Sequence, residues 1–295
     1  MPYFALLLLL FNSSFLPKQA ISQNMIQQSQ HSLLFDSALN SASIKLVSWN
    51  ILAGCRQILK KIPVGVFCSS EQSDASFKSL VHQQDLILIQ EAYLDKEALQ
   101  LFSSLGKDYS WDMAISFMAH KAHQIPTGVL TLSKAKSLTA ELQKNYEGLL
   151  PTPKTILYTL YNLSDNDTII ENQLLVVNIH GILISRPSLY AQLETMVDKI
   201  ATHKGPIVLA GDFNTMTNTT YSQLKAIVGR IGLTEVKIPK DLDKRVISFT
   251  GQYYDIIFSK QLKVINSYAI DLKETEHGKV SDHYPVFAEF QYVNH

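Results

Sequence analysis

From Ile44 onward the sequence alternates short apolar runs, each suited to a buried strand, with amphipathic helical patterns. The clearest helix covers residues 187–205, where a proline opens and a glycine closes a segment with an apolar stripe at helical spacing. The strand-like run IVLAG, residues 207–211, follows at once. Strands that alternate with helices build layered α/β domains, and closely spaced strand runs elsewhere indicate hairpins. We therefore predict an α/β domain whose sheets are not purely parallel.

The same patterns place the remaining elements. Further helices are predicted over residues 76–84, 95–106 and 220–233. Further strands are predicted over residues 44–50, 85–91, 111–118, 128–133, 154–163, 172–181, 253–259, 262–270 and 284–292.

The composition fits one large domain or two small ones in 295 residues, with 46% apolar and 18% charged residues. Lys+Arg and Asp+Glu are both 26, and only four residues are arginine. The overall charge therefore gives no argument for a nucleic-acid partner, although a local basic patch stays open.

The N-terminus carries a short apolar run over residues 3–11, too short to cross a bilayer, followed by Ala20-Ile21-Ser22. This pattern predicts a signal peptide over residues 1–22 and an exported protein, periplasmic or secreted. A buried N-terminal helix and an uncleaved anchor are the alternatives. Residues 23–43 are rich in Gln, Ser and Asn and are predicted to form a flexible linker before a domain over residues 44–295.

The two cysteines, Cys55 and Cys68, are close enough in sequence to close a short loop. In an exported chain they could form a disulfide, and two free thiols are the alternative.

Polar side chains follow the apolar run at residues 207–211. Asp212 and Asn214 are two residues apart, a spacing that puts side chains on one face of an extended chain. Ligands tend to bind at the C-terminal ends of strands in α/β sheets. Asp and Asn near glycine are also ordinary turn formers, so a plain turn is the alternative.

Several other predicted strands carry polar residues at or near one end. They are Asn50, Glu91, Asn178, His180, Asp255, Asp282 and His283. Each has an ordinary structural explanation, as a turn, surface or hydrogen-bonded residue. Together they indicate a shared chemical task at one edge of the fold.

These residues also lie in motifs that occur in a fixed order. The motifs are WN (49–50), IQE (89–91), TGVLTLS (127–133), NIHG (178–181), GDFN (211–214), YDIIFS (254–259) and SDHYPV (281–286). The set resembles the endonuclease/exonuclease/phosphatase superfamily, the fold of pancreatic-type deoxyribonuclease, over residues 44–291, and is most similar to compact bacterial members. The resemblance implies a four-layered α/β sandwich of two packed mixed β-sheets flanked by helices.

The resemblance further implies hydrolysis of phosphate esters with a divalent metal, usually Mg²⁺, with Mn²⁺ as an alternative. Hard oxygen donors suit Mg²⁺, and the resemblance assigns Glu91, Asn50 and Asp282 to the metal. It assigns the general base to His283, supported by Asp255.

The remaining catalytic assignments concern the water and the phosphoryl group. Asp212 is expected to orient or help deprotonate the water, and Asn214 to hold the water or a phosphate oxygen. His180 is expected to donate a hydrogen bond to a non-bridging oxygen.

The substrate stays open among phosphodiesters. The leading hypothesis is a Mg²⁺-dependent phosphodiesterase, which could be a secreted nuclease acting on DNA or RNA. The groove of a nuclease could be bordered by basic residues, for which an ordinary solvated face is the alternative: His120, Lys121, His123, Lys134, Lys136 and Arg186. A sphingomyelinase-like or other lipid or small-molecule phosphoesterase is the alternative, with residues 60–67 (KKIPVGVF) as an apolar membrane loop. A catalytically inactive binding module is the third hypothesis. Leu52 stands where repair-type apurinic endonucleases carry Asp, which disfavours that identity. The sequence predicts no obligate protein partner and does not fix the oligomeric state.

Overall fold

The computed structural model describes residues 25–29, 37–51, 70–105, 109–119, 124–147, 150–248, 250–274 and 281–293. The predicted signal peptide, both cysteines and the apolar loop at residues 60–67 lie outside these ranges. What the sequence predicts about them therefore stays a prediction. Within the described ranges, no helix has both the length and the apolar character needed to cross a bilayer.

Two mixed β-sheets form the centre of the fold. In spatial order the first contains β1 (Ile26–Gln28), β5 (Ser110–Ala119), β6 (Ile125–Ser133), β4 (Leu86–Tyr93), β3 (Ile44–Asn50), β14 (Val286–Tyr292) and β13 (Leu262–Ala269). The second contains β11 (Thr234–Glu235), β12 (Asp255–Lys260), β10 (Ile207–Asp212), β9 (Thr168–His180), β8 (Leu150–Asp165) and β2 (Leu39–Asn40), and β7 (Thr139–Glu147) pairs with β8. Parallel pairs, β3 with β4 and β9 with β10, lie among antiparallel ones. The predicted mixed sheets are confirmed.

Four helices cover the outer faces of the two sheets in the described part of the chain. Apolar side chains of α1 (Ser70–Val81) and α2 (Lys96–Ser104) pack on the first sheet. Those of α3 (Arg186–Ile200) and α4 (Asn218–Gly229) pack on the second. The predicted four-layered sandwich is therefore confirmed.

Strand β10 shows how the sequence pattern creates these layers. Val208 and Ala210 are buried between the two sheets, whereas Ile207 and Leu209 are buried against the helices. A strand that is buried on both faces needs apolar residues at every position, which is what its sequence provides.

Helix α3 begins as predicted but ends earlier. The Ser185 side chain caps it by accepting a hydrogen bond from the Ser188 backbone N–H, and proline follows in the first turn. Its predicted apolar stripe is buried as expected. The helix ends at Ile200 rather than at residue 205, because Ile200 is the last residue of the apolar stripe and Ala201, the C-cap, is followed by polar residues.

The prediction of a flexible linker over residues 23–43 is wrong at two places. Strand β1 pairs with β5, and strand β2 pairs with β8. Both are short additions to a sheet edge, where open backbone N–H and C=O groups accept a strand with little regard to its side chains. The polar composition of this segment therefore hid its strands.

Candidate active site

The predicted site residues converge where the strands of the two sheets end. Asp212, the last residue of β10, pairs in register with His180 on its parallel neighbour β9 and with Asp255 on its antiparallel neighbour β12. Asn50 and Glu91 come from the ends of β3 and β4 in the other sheet. The strand ends of both sheets thus meet at one cleft, as the sequence predicted.

Asp212 lies at the centre of this cleft and is 2% exposed. Its Oδ2 accepts a hydrogen bond from Asn50 Nδ2 (3.1 Å) and lies 3.7 Å from His180 Nε2 and 3.9 Å from His283 Nε2. Burial raises the pKa of Asp212 to about 6, although the charge of His283 opposes the rise. This carboxylate is therefore able to exchange a proton near neutral pH.

Glu91 reaches the cleft because β4 contains a β-bulge. Its backbone φ is 54°, and the pairing of β4 with β6 shifts by one residue between Ile89 and Ala92. In a regular strand Gln90 and Glu91 would point to opposite faces. Here both contact strand β9: Gln90 Nε2 donates to Asn178 Oδ1 (2.8 Å), and Glu91 Oε1 lies 3.7 Å from His180 Nε2. A strained, bulged residue of this kind is typical of a functional site.

The two carboxylates around Asn50 suit a hard divalent cation, and the Asn50 amide presents Nδ2 rather than Oδ1 to them. Asn50 Nδ2 lies 3.5 Å from Glu91 Oε1 and 3.1 Å from Asp212 Oδ2, so two carboxylates converge on one amide. The Glu91 side chain is 31% exposed and faces the open mouth. Mg²⁺ prefers such carboxylate and amide oxygens and keeps several waters. Asp282, the third predicted ligand, is exposed and lies on the His283 side, where its charge acts on His283.

A second donor set is also present in the cleft. The ligand atoms of Asp212, Asp255 and His283 all lie within 4.8 Å of one another. However, His283 Nδ1 donates to Asp255 Oδ2 at 2.7 Å, so these two residues already bind each other. The Glu91 carboxylate at the open mouth therefore fits a metal better, joined by the Asn50 amide once it turns Oδ1 rather than Nδ2 toward that mouth.

His283 is held in a strongly acidic environment. Burial alone would lower the pKa of His283, but the carboxylates of Asp255 and Asp212 outweigh it and raise that pKa well above its ordinary value of 6.5. Its backbone is fixed from two sides: the N–H donates to Ser281 Oγ (3.1 Å), and the carbonyl accepts from Trp49 Nε1 (3.2 Å). The result is an oriented imidazolium beside Asp212.

His180 has the opposite electrostatic environment. Burial lowers the pKa of His180 well below its ordinary value, and the charges of Lys154 and His283 lower it further. The Lys154 ammonium lies 2.7 Å from His180 Nε2, so the neutral ring accepts a hydrogen bond there. The predicted role of His180 as a hydrogen-bond donor to phosphate is at odds with this arrangement, because Nε2 is already occupied as an acceptor.

Asn214 acts mainly as a turn residue. Its φ is 52°, its backbone N–H donates to Asp212 Oδ1 (2.9 Å), and its Nδ2 donates to the Gly181 carbonyl (2.9 Å). A side chain on Gly181 would meet the Phe213 carbonyl at 2.6 Å, so the two loops are in close contact. The turn alternative thus holds for Asn214, whose predicted contact with water or phosphate would require it to leave Gly181.

Three residues that support the site were not assigned from the sequence. Lys154 is the first residue of the strand predicted over residues 154–163, and it has no motif around it. Gln90 and Asn178 join the two sheets beneath the cleft, and Asn178 Nδ2 also donates to the Leu130 carbonyl (3.0 Å). Gln90 precedes Glu91, and Asn178 lies two residues before His180, so their positions within the motifs were the available signal.

The predicted basic groove is only partly at the cleft. Lys134 follows the end of β6 that is distant from the site and pairs with Asp85 (2.8 Å), just before the start of β4. The expectation that Lys134 and its neighbour Lys136 border the site is therefore wrong, because β6 runs antiparallel to β4. Arg186 is exposed at the start of α3, after the loop that follows His180. The other candidates, His120, Lys121 and His123, lie outside the described residues.

Comparison with known proteins agrees with this geometry. The chain is 30% identical over 278 residues to the UPF0294 protein of Yersinia pseudotuberculosis serotype O:1b (strain IP 31758), covering 93% of this chain and 94% of the relative. The human Nocturnin catalytic domain, solved with a bound sulfate anion, has a TM-score of 0.61 at 19% identity and covers 87% of this chain and 96% of its own. D. rerio TDP2, solved with a single-strand DNA product, has a TM-score of 0.54 at 14% identity and covers 84% of this chain and 98% of its own.

At these identities the two solved structures establish a shared fold. The sequence model of the Endonuclease/Exonuclease/phosphatase family matches residues 47–283, which include every site residue described above. The chain therefore belongs to the endonuclease/exonuclease/phosphatase family.

Proposed function

We propose that this protein is a divalent-metal-dependent phosphodiesterase. One observation carries the proposal: Asp212 Oδ2 lies 3.7 Å from His180 Nε2 and 3.9 Å from His283 Nε2, with Glu91 Oε1 at the same mouth. A buried carboxylate, one cationic and one neutral histidine, and an exposed carboxylate suit phosphoryl transfer, which depends on positioning and charge stabilisation.

The metal would be held by Glu91 and Asn50, with Asp282 as the predicted third ligand. We propose Mg²⁺ because all three residues offer hard oxygen donors, and Mn²⁺ is the alternative. When bound, the cation would polarise a phosphoryl oxygen and offset the charge that develops on it.

We assign the base to Asp212 rather than to His283. Its raised pKa, about 6, lies close to neutral pH, whereas the raised pKa of His283 favours the imidazolium. Asp212 would take a proton from a water whose oxygen forms the new bond to phosphorus. The ester P–O bond breaks on the opposite side, and the leaving oxygen takes a proton from solvent at the mouth.

Two cations would stabilise the phosphoryl oxygens during this step. His283 would donate from Nε2, since its Nδ1 is bound to Asp255. Lys154 would donate through its ammonium, which neutral His180 holds in place at 2.7 Å. Such preorganised donors are worth most in a partly dry site.

We propose two substrate classes for this phosphodiesterase, in order of preference. DNA or RNA is the first class, supported by Lys154 in the cleft, by the exposed Arg186 after the loop that follows His180, and by the DNA product that TDP2 binds. A phospholipid is the second, supported by Tyr146 and Ile184, which are 64% and 48% exposed. Tyr146 and Ile184 lie close together, because the Ile184 N–H donates to Glu147, the residue after Tyr146. We also propose export, which is supported by the apolar run and the Ala-x-Ser pattern at the N-terminus.

The proposal is tested with bis(p-nitrophenyl) phosphate, a diester that needs no particular groove. The purified protein should hydrolyse it with Mg²⁺ or Mn²⁺ and lose the activity in EDTA. A Glu91→Gln variant should require much more metal, and Glu171→Gln, on the exposed part of β9, should behave as wild type. Supercoiled plasmid and sphingomyelin vesicles then separate the two substrate classes. A folded protein that hydrolyses none of the three would contradict the proposal.

A further inference from the structure

A buried charged cluster lies directly behind Asp255 and has no assigned role. Arg245 is 8% exposed. Its Nε and Nη2 donate to both oxygens of Asp243, at 2.9 and 2.8 Å, and its Nη1 lies 3.9 Å from Glu235 Oε1. The guanidinium also lies over the Tyr253 ring, 3.6 Å from its centroid. A bidentate, stacked arginine of this kind has a fixed orientation.

The free donor of Arg245 is directed at the active-site strand. Its Nη1 donates to the backbone carbonyl of Asp255 at 3.3 Å. Strand β11 ends too early to occupy this carbonyl, since it pairs only with Ser259 and Phe258, and Val236 N–H then bonds to Ile257. Arg245 thus supplies the hydrogen bond that a longer edge strand would have made.

The two preceding carbonyls are anchored as well. The Tyr254 carbonyl accepts from the Phe213 N–H (2.9 Å), and the Tyr253 carbonyl accepts from Thr215 Oγ1 (2.9 Å). Arg245 therefore completes a run of three anchored carbonyls that leads to Asp255.

The Asp255 carboxylate depends on this backbone anchoring. Its Oδ2 accepts from His283 Nδ1, but its buried Oδ1 has no hydrogen-bond partner among the described residues. In the described part of the chain, no second side chain therefore fixes the carboxylate directly. Its orientation toward His283 follows from where the backbone of Asp255 lies.

We propose that Arg245 is a positioning residue, which holds the backbone of Asp255 so that its carboxylate meets His283 in the productive geometry. This inference rests on the proposed function for its kinetic consequence, because Arg245 touches neither substrate nor metal. A displacement of about 1 Å at a reacting group can cost ~100-fold in rate. Loss of Arg245 should therefore lower kcat much more than it changes KM.

The test compares Arg245→Met, Arg245→Lys and the control Tyr109→Phe. Tyr109 is also buried and hydrogen-bonded to backbone carbonyls. It lies just before β5, at the end of the first sheet that is distant from the cleft. With bis(p-nitrophenyl) phosphate, Arg245→Met should lower kcat by ~10-fold or more while KM changes by less than about 2-fold. Arg245→Lys should be intermediate, and Tyr109→Phe should lower the Tm with kcat unchanged.

A second measurement does not depend on activity. The ring N–H proton that His283 shares with Asp255 should give a downfield NMR resonance in the wild type, identified by its loss in His283→Gln. We expect this resonance to shift or broaden in Arg245→Lys and to stay in place in Tyr109→Phe. An Arg245 variant with an unchanged resonance overturns the inference, as does a folded variant with unchanged kcat. If the wild type is inactive, the proposed function fails, and the resonance alone decides the role of Arg245.

Discussion

The two histidines of the cleft lie on either side of Asp212 and differ in charge. His283 borders Asp255, and nearby carboxylates raise its pKa well above 6.5. His180 borders Lys154, and burial lowers its pKa well below 6.5. The same side chain thus serves as a cation on one side of the cleft and as a neutral acceptor on the other.

This difference shows that the partner, rather than the residue type, decides what each histidine can do. Pairs of titratable groups whose environments push their pKa values apart often define the roles in an active site. His283 can donate a charged hydrogen bond, whereas His180 orients the ammonium of Lys154. The following substitutions alter first the centre of the cleft and then one side of it at a time.

The largest effect is expected for Asp212→Asn, because Asp212 faces both histidines. The amide cannot take a proton from water, so kcat should fall by ~100-fold to ~10,000-fold, the usual contribution of a general base. Steady-state hydrolysis of bis(p-nitrophenyl) phosphate measures this loss. Asp198→Asn, on the exposed face of α3, is the matched control and should retain wild-type kcat.

The next effect is expected for Asp255→Asn, which alters only the His283 side. With asparagine in place of Asp255, the imidazolium loses its closest stabilising charge, and its 2.7 Å hydrogen bond retains at most a neutral amide oxygen as acceptor. We expect kcat to fall by ~100-fold, with KM changed far less, in the same assay. A variant that keeps its fold and its kcat would show that the charge on His283 is not used.

A smaller effect is expected for Lys154→Met, which alters only the His180 side. Removing one charged donor to a phosphoryl oxygen should lower kcat/KM by ~10-fold to ~100-fold. The pKa of His180 should rise, because the Lys154 charge lowers it in the native protein. Lys199→Met serves as the control, since Lys199 pairs with Glu141 on the surface. Equal kinetics for the two variants would remove Lys154 from the mechanism.

The remaining prediction concerns stability rather than activity, namely the pH dependence of the Tm without metal. His283 has a raised folded-state pKa, so its ion pair with Asp255 stabilises the fold fully below the unfolded value of 6.5. That stabilisation is lost as the pH rises through the folded-state pKa. Breaking a buried pair costs about 3–5 kcal/mol at the lower pH. The Tm difference between wild type and Asp255→Asn, measured in EDTA, should therefore shrink as the pH rises above about 6.5 and through the folded-state pKa of His283. A difference that grows would contradict the charged state of His283.

The sequence predicted which residues line the cleft better than it predicted the side chains that bind the two histidines. The adjacency of His180, Asp212 and Asp255 was predictable because strand ends meet at one edge of a sheet, and the register confirms it. Lys154 was not predictable, since a lysine at the start of a strand has no distinguishing pattern. Its role depends on which strand lies beside β9, and that pairing is set by tertiary structure.

Local backbone geometry accounts for the other differences. Asn214 adopts a positive φ past the end of β10, so the alternation of an extended chain does not reach it. Glu91 faces the cleft only because a bulge interrupts β4, and no residue in its sequence requires that bulge. Lys134 was misplaced because the direction of β6 relative to β4 cannot be read from a single strand.

The most direct test is the protonation of the two histidines in one sample. Two-bond ¹H–¹⁵N NMR spectra of the metal-free protein near pH 7 distinguish a cationic ring from a neutral one, and His283→Gln and His180→Gln assign the signals among nine histidines. We predict a cationic His283 and a neutral His180. Two rings in the same charge state, or the reverse assignment, would contradict this account of the site.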